Sequence, residues 1–175
     1  SQAPLYQNPR TLIIMGVSGC GKSLIGSRLA KILGGVFEDA DDFHSETNKA
    51  KMRSGIPLTD EDRWPWYASL RTRIEEMRTS TPIYVLACSA LKQIYRAKLQ
   101  ADDSPDQLAF IFLEGDREVI FNRMAARQGH YMPVTLLDSQ LAILEKSPDL
   151  IAISLDQSPE QILTEISQRL KGLAV

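Results

Sequence analysis

The chain has 175 residues, of which 43% are hydrophobic and 24% charged, and its formal net charge is −2. That length holds a core without metal or disulfide support, two cysteines (Cys20 and Cys88) do not make a disulfide framework, and the near-neutral charge gives no basis for nucleic-acid binding. The longest apolar runs, Leu12–Met15 and Ile83–Cys88, are strand-sized and far short of the about 18 residues that a membrane-spanning helix needs, so no membrane partner is expected.

Residues Ser1–Arg10 carry no basic-then-apolar secretory pattern and read as a loose leader. One domain is expected over 11–175, in the cytoplasm. Thr11–Met15 is a buried strand, followed by a glycine loop. Ser23–Leu33 carries Leu24, Ile25, Leu29, Ile32 and Leu33 at helical spacing and ends at Gly34 and Gly35. Val36–Glu38 is a short second strand that runs into acidic residues. Helical patterns return over Thr47–Ser54 and over Asp62–Arg78, where Trp66, Leu70, Ile74 and Met77 share a face and Pro65 suits a first turn. Ile83–Ala87 is the third strand, followed by a helix over Leu91–Gln100. Phe110–Leu113 is the fourth strand and Glu118–Arg127 the next helix. Gln128–Pro133 reads as a loop and Val134–Glu145 as a helix with Leu137, Leu141 and Leu144 inward. Leu150–Leu155 is a fifth strand, and Ser158 caps a last helix bearing Ile162, Ile166 and Leu170. Strands alternating with helices predict an α/β fold: a five-stranded parallel sheet in a three-layer sandwich.

The chemistry begins at Gly16, Val17, Ser18, Gly19, Cys20, Gly21, Lys22 and Ser23, which match the pattern G-x-x-x-x-G-K-[ST] between a strand and a helix. Backbone N–H groups of such a loop form an anion nest, and the helix that starts at Lys22 aims its positive end at phosphates. Lys22 is expected to reach the β- and γ-phosphates of ATP, and Ser23 to give Mg²⁺ a hydroxyl. Cys20 stands where that mechanism requires no side chain and reads as a small filler rather than a redox switch. Carboxylates cluster after the second strand, at Asp39, Asp41 and Asp42. Strand C-termini face the ligand crevice in open α/β sheets, which puts this cluster beside the γ-phosphate. If the chain stays extended, Asp39 and Asp41 share one face. One could then orient Mg²⁺ through water while the other takes the proton of an attacking hydroxyl, and phosphoryl transfer needs little more.

Several blocks together resemble the gluconokinase family of the shikimate-kinase-like group, a fold of the P-loop nucleoside/shikimate kinase type. They are Asp39–His44, Asn48, Lys51–Met52, Gly55–Arg63, Pro65–Trp66, Cys88–Lys92 with Tyr95–Arg96, and Arg127–Pro133 with Leu136, Leu137, Ser139 and Gln140. The departures are Ser45-Glu46, where the family often has proline, and Tyr67, where it often has leucine. The resemblance implies ATP-dependent phosphorylation of the 6-hydroxyl of D-gluconate by a small, usually homodimeric, cytosolic enzyme of carbohydrate metabolism. It implies Asp39 and Ser23 at the metal, Asp41 as the base, and Lys22 with Arg127 on the transferring phosphoryl group. A sugar acid needs cations for its carboxylate, and Lys51, Arg63, Lys92 and Arg96 are the candidates. His44 reads as a substrate hydrogen-bonding or loop-ordering group rather than a base, and His130 as a lid residue over substrate or phosphate. Arg123 and Arg127 lie one helical turn apart and point the same way, and resemblance to related small-molecule kinases implies that such lid arginines close onto ATP phosphates. Residues of about 44–78 are expected to cap the substrate and those of about 123–136 to form a lid. Trp64 and Trp66 read as packing. Two other readings stay open: a kinase of the same fold acting on shikimate or a nucleoside monophosphate, and a nucleotide-binding regulator without catalysis. Against shikimate, the third strand leads into Cys88–Lys92 rather than a glycine-rich turn.

Overall fold

The computed structural model describes residues 9–126 and 134–173. Its five strands are β1 Thr11–Met15, β2 Val36–Asp39, β3 Tyr84–Ala87, β4 Leu108–Glu114 and β5 Ile151–Ser154. The helices are α1 Lys22–Leu33, α2 Glu46–Arg53, α3 Asp60–Ser80, α4 Gln93–Gln100, α5 Arg117–Ala125, α6 Val134–Ile143 and α7 Pro159–Leu173. All strands pair in parallel, in the order β2-β3-β1-β4-β5, with Thr11 level with both Tyr84 and Leu108.

Helices on both faces of the sheet leave its central strands without a polar side. Every residue of β1 and β3 is buried, which is why these strands read as continuous apolar runs rather than alternating ones. Alternation survives in which face each residue serves. Leu12 and Ile14 join Ile25 and Leu29 of α1 and Ile162, Ile166 and Leu170 of α7 on one face. Ile13 and Met15 join Trp66, Leu70 and Ile74 of α3 and Tyr95 and Leu99 of α4 on the other. The two outer layers meet through the sheet and at Leu144, which packs against both clusters.

Three local differences from the sequence-based expectation have physical causes. The chain after β2 is not extended: Ala40–Phe43 winds into a short 3₁₀ turn because the Asp39 carboxylate accepts the Asp41 N–H. α3 begins at Asp60, where Thr59 and Asp62 form a reciprocal cap, so Pro65 falls in the second turn rather than the first. α6 stops at Ile143 instead of Glu145. Beyond it, the Glu145 N–H donates to the Leu91 carbonyl and the Glu145 carboxylate accepts the Gln93 N–H, so Glu145 caps α4 in place of Lys92, which makes no side-chain cap. Ser45, which departs from the family's proline, caps α2 by accepting the Asn48 N–H.

Candidate active site

The glycine loop sits at the C-terminal end of β1, at the middle of the sheet, and hands the chain to α1 through Gly21, whose φ of 99° suits no β-carbon. Gly19, at φ 83°, faces Met124 of α5 so closely that a β-carbon would collide with the thioether. The Lys22 ammonium donates to the Gly16 and Val17 carbonyls at 3.0 and 3.1 Å, folding along the loop's inner edge. Cys20 is fully buried. Ser18 has an unforeseen neighbour: its N–H donates to Gln140 Oε1 at 2.6 Å, and Gln140 Nε2 donates back to the Ser18 hydroxyl at 2.9 Å.

Across from the loop stand the acids. Ser23 Oγ donates to Asp39 Oδ2 at 2.7 Å, while Asp39 Oδ1 accepts the Asp41 N–H at 2.9 Å. The 3₁₀ turn therefore does what an extended chain was expected to do, and both carboxylates reach one space. That space is a cavity of about 280 Å³ lined by Ser18, Gly19, Gly21, Lys22, Ser23, Leu24, Asp39, Asp41 and Ser89. Burial raises the pKa of Asp41 above the usual carboxylate range, and the neighbouring charge of Asp39 raises it further, against the pull of Lys22. An acid with a raised pKa facing a phosphate-binding loop is the arrangement a general base requires. The Ser23 hydroxyl and Asp39 carboxylate are hard oxygen donors at the loop's end, a set that suits Mg²⁺ shared with phosphate oxygens and water.

A second group of charged side chains joins α3 to α4 around Tyr95. Tyr95 of α4 donates its hydroxyl proton to Asp60 Oδ1 at 2.6 Å and accepts from Arg63 Nη1 at 3.1 Å. The Arg63 guanidinium and the Lys92 ammonium lie 5.4 and 5.6 Å from the Tyr95 ring centre. Two of the expected substrate cations thus share one aromatic support. The other two have backbone and ion-pair employment. Lys51 binds both oxygens of Asp62 at 2.9 and 3.0 Å, tying α2 to the start of α3. Arg96, 4% exposed, donates to the Ala90, Leu91 and Glu145 carbonyls and so holds the β3–α4 connection, where Ala90 adopts a φ of 46°.

His44 is buried against the same region. Its ring stacks on Trp66 with centroids 4.0 Å apart, and its Nδ1 lies 3.2 Å from the amide nitrogen of Asn48. That amide also donates to the Asp62 carbonyl, so Nδ1 is the acceptor and the ring proton sits on Nε2. Burial, with the charges of Arg63 and Lys49, pushes the His44 pKa down to about 4, which leaves the ring neutral at physiological pH. Trp66 donates its indole N–H to the Ala40 carbonyl at 2.8 Å, a packing role that also anchors the acidic turn to α3. Arg123 donates to the Leu155 and Gln157 carbonyls, joining α5 to the β5–α7 connection. Arg127 and His130 lie outside the described residues.

Asp60, Tyr95, Ser89 and Gln140 were not singled out from sequence for any role. Tyr95 and Gln140 sat inside family-like blocks, but nothing in their spacing showed which partner each would meet. Ser89 lies two residues beyond β3, inside the block Cys88–Lys92, and its signals were that block and its place after a strand end.

A family model described as shikimate kinase matches residues 18–171. A gluconokinase of Arabidopsis thaliana is 42% identical over 171 residues, covering 90% of this chain and 90% of that protein. One from Gluconobacter oxydans is 40% identical over 161 residues, covering 90% of this chain and 89% of that protein. A crystal structure of a gluconokinase from Sinorhizobium meliloti superimposes with a TM-score of 0.83 at 41% identity, covering 95% of this chain and 94% of that one. With the glycine loop, the acidic turn and the sheet order all in place, the chain belongs to the gluconokinase family, within the group that the shikimate kinase model describes.

Proposed function

We propose that the protein transfers the γ-phosphoryl group of ATP to the 6-hydroxyl of D-gluconate, giving 6-phosphogluconate and ADP. The observation that carries this is the shared cavity in which Asp41 faces Lys22 and the glycine loop. The substrate's O6 attacks the γ-phosphorus as the bond to the β,γ-bridging oxygen breaks, and the O6 proton passes to Asp41. Lys22 neutralises charge on the phosphoryl group, and Arg127 joins it on the strength of its place in the sequence. Mg²⁺, when bound, supplies charge neutralisation on the phosphates; Ser23 and Asp39 are the residues that would hold it. Among the described residues no three His, Cys, Asp or Glu side chains are grouped as a metal site.

In this reading Arg63 and Lys92 seat the gluconate carboxylate and hydroxyls, on a cap made by residues of about 44–78. His44 donates through Nε2 or orders the acidic turn, and Lys51 and Arg96 shape the cap and the β3–α4 connection rather than touch the substrate first. Arg123 brings the α5 end to the nucleotide, beside a lid of about 123–136 that includes His130. The enzyme works as a homodimer in the cytoplasm and feeds the pentose phosphate pathway. Among the described residues no helix is long and apolar enough to cross a membrane.

The test is ATP consumption, coupled to ADP release, with D-gluconate beside other sugar acids of five to seven carbons and shikimate. Turnover with D-gluconate well above all others is expected. Preference for shikimate, or ATP binding with no turnover on any acceptor, would overturn the assignment. Light scattering at working concentration checks the dimer.

A further inference from the structure

Gln140 is the residue whose contacts exceed anything the motif accounts for. It approaches the phosphate loop from α6, 122 positions away in the chain, and makes two hydrogen bonds to a single loop residue. The pair is reciprocal. Ser18 gives its backbone N–H to Oε1, and Nε2 gives a proton to the Ser18 hydroxyl, so the side-chain amide can face one way only. Leu137, one turn earlier on α6, is fully buried in the core and holds the helix at this distance. Met124 of α5 fills the place that a side chain on Gly19 would take. Ser18 and Gly19 are therefore each met by a helix, Ser18 by α6 and Gly19 by α5.

This has a consequence for the anion nest. The Ser18 N–H is already occupied, and the Cys20 N–H donates to the Val17 carbonyl. Gly19, Gly21, Lys22 and Ser23 are left to offer their N–H groups to phosphate. We propose that Gln140 is a positioning residue for nucleotide binding: by holding both the backbone and the side chain of Ser18, it sets the curvature that turns those remaining donors inward. A loop rich in glycine has little conformational preference of its own, so an external restraint at its tip lowers the ordering cost when phosphate arrives.

The inference rests on the phosphotransfer reading, and its test separates the two. Binding of ADP and of the non-hydrolysable analogue AMP-PNP, each with Mg²⁺, is measured by calorimetry without acceptor, alongside steady-state constants for gluconate. Gln140→Met keeps length and loses both hydrogen bonds, and should weaken AMP-PNP binding about three- to tenfold while the gluconate KM stays within about twofold. Gln140→Glu keeps the acceptor for the Ser18 N–H but adds a negative charge. It should be worse than Gln140→Met, and worse for AMP-PNP than for ADP, which carries less negative charge. AMP-PNP affinity within twofold of the parent in a folded Gln140→Met, or a Gln140→Glu no weaker for AMP-PNP than for ADP, would overturn the role. A parent enzyme that binds nucleotide but ignores gluconate would instead count against the substrate assignment alone.

Discussion

Ser23, the second residue of α1, and Asp39, the last residue of β2, are joined by a 2.7 Å hydrogen bond from the serine hydroxyl to the carboxylate. The other carboxylate oxygen is held by the Asp41 N–H, so the Asp39 side chain is oriented from both ends before any ligand arrives. One bond thus ties the phosphate loop's exit to the acidic turn, although the strands that lead into them, β1 and β2, are separated in the sheet by β3.

If Asp39 acts on the metal through water, Asp39→Asn should raise the Mg²⁺ concentration needed for half-maximal activity by about 10- to 100-fold at saturating ATP. Activity is followed against free Mg²⁺. An unchanged metal dependence removes Asp39 from that role.

Asp41 makes a paired prediction about activity and stability. Asp41→Asn should lower kcat about 10²- to 10⁴-fold. Its raised pKa places the acid limb of the pH–rate profile above the ordinary carboxylate range, with activity falling as pH falls, because the base must be ionised. Since burial is the first cause and Asp39 the second, Asp39→Asn should shift that limb to lower pH. The stability sign is opposite to that of a paired carboxylate. A folded pKa above the unfolded one means that protonation favours the fold, fully below the unfolded value and less as pH rises through the folded one. At pH 7 the charge is a cost, so the inactive Asp41→Asn should melt at a higher temperature than the parent. A lower Tm would contradict the desolvation argument.

Much of this was legible because it is local. The β1–glycine loop–α1 unit has a pattern that dictates its own geometry, and the apolar stripes of α3 and α7 name their faces. Asp39 and Asp41 could be placed at the crevice from their position at the C-terminal end of the second strand. What stayed illegible depends on partners far apart in the chain. Arg96 and Lys51 look like free cations in sequence, yet one binds three carbonyls and the other Asp62. Glu145 caps a helix that begins about fifty positions earlier, and no propensity rule connects them. Asp39 winds the chain into a 3₁₀ turn because a carboxylate two residues back can take the Asp41 N–H, a choice that a strand-end pattern does not reveal.

Asp103 offers a stability test away from the site. It is bound by Arg71, at 2.7 Å, and by Arg78, both from α3, and Arg71 also takes the Leu99 and Gln100 carbonyls at the end of α4. Burial alone would raise the Asp103 pKa, but the hydrogen bonds from Arg78 and Arg71 outweigh it and pull the value down to about 2. Asp103→Ala leaves two half-buried guanidinium groups without their shared anion and should cost about 3 kcal/mol in urea unfolding, with kcat unchanged. Because the folded pKa is depressed, this contribution holds above the unfolded value and disappears as pH falls towards 2. Equal stability of parent and variant near neutrality would show the cluster to be inert.

His44 predicts a different pH dependence. A ring that resists protonation until about pH 4 stabilises the fold above the unfolded value near 6.5, and that stability is lost as pH drops between the two. The parent's Tm should therefore fall from pH 7 to pH 5 more steeply than that of His44→Gln, which has no such proton to take up. Parallel Tm curves would exclude His44 as a source of acid sensitivity.

Tyr95 separates support from contact at the acceptor site. Its hydroxyl accepts from Arg63 and donates to Asp60, while its ring lies beneath both Arg63 and Lys92. Tyr95→Phe keeps the ring, and with it the cation–π support, but frees Arg63 from one hydrogen bond and leaves Asp60 paired only with Arg63, 3.5 Å away. If these cations seat the gluconate carboxylate, the variant should raise the gluconate KM about three- to tenfold and change the ATP KM and kcat little. Arg63→Ala should raise it further, because a charge-assisted contact is lost outright. In Arg63→Ala the added Tyr95→Phe change should then have less effect than it has alone, since the arginine it steadies is gone. Additive losses would mean that Tyr95 touches the sugar acid by its own hydroxyl, and an unchanged gluconate KM in both single variants would move the acceptor away from this face of α3 and α4.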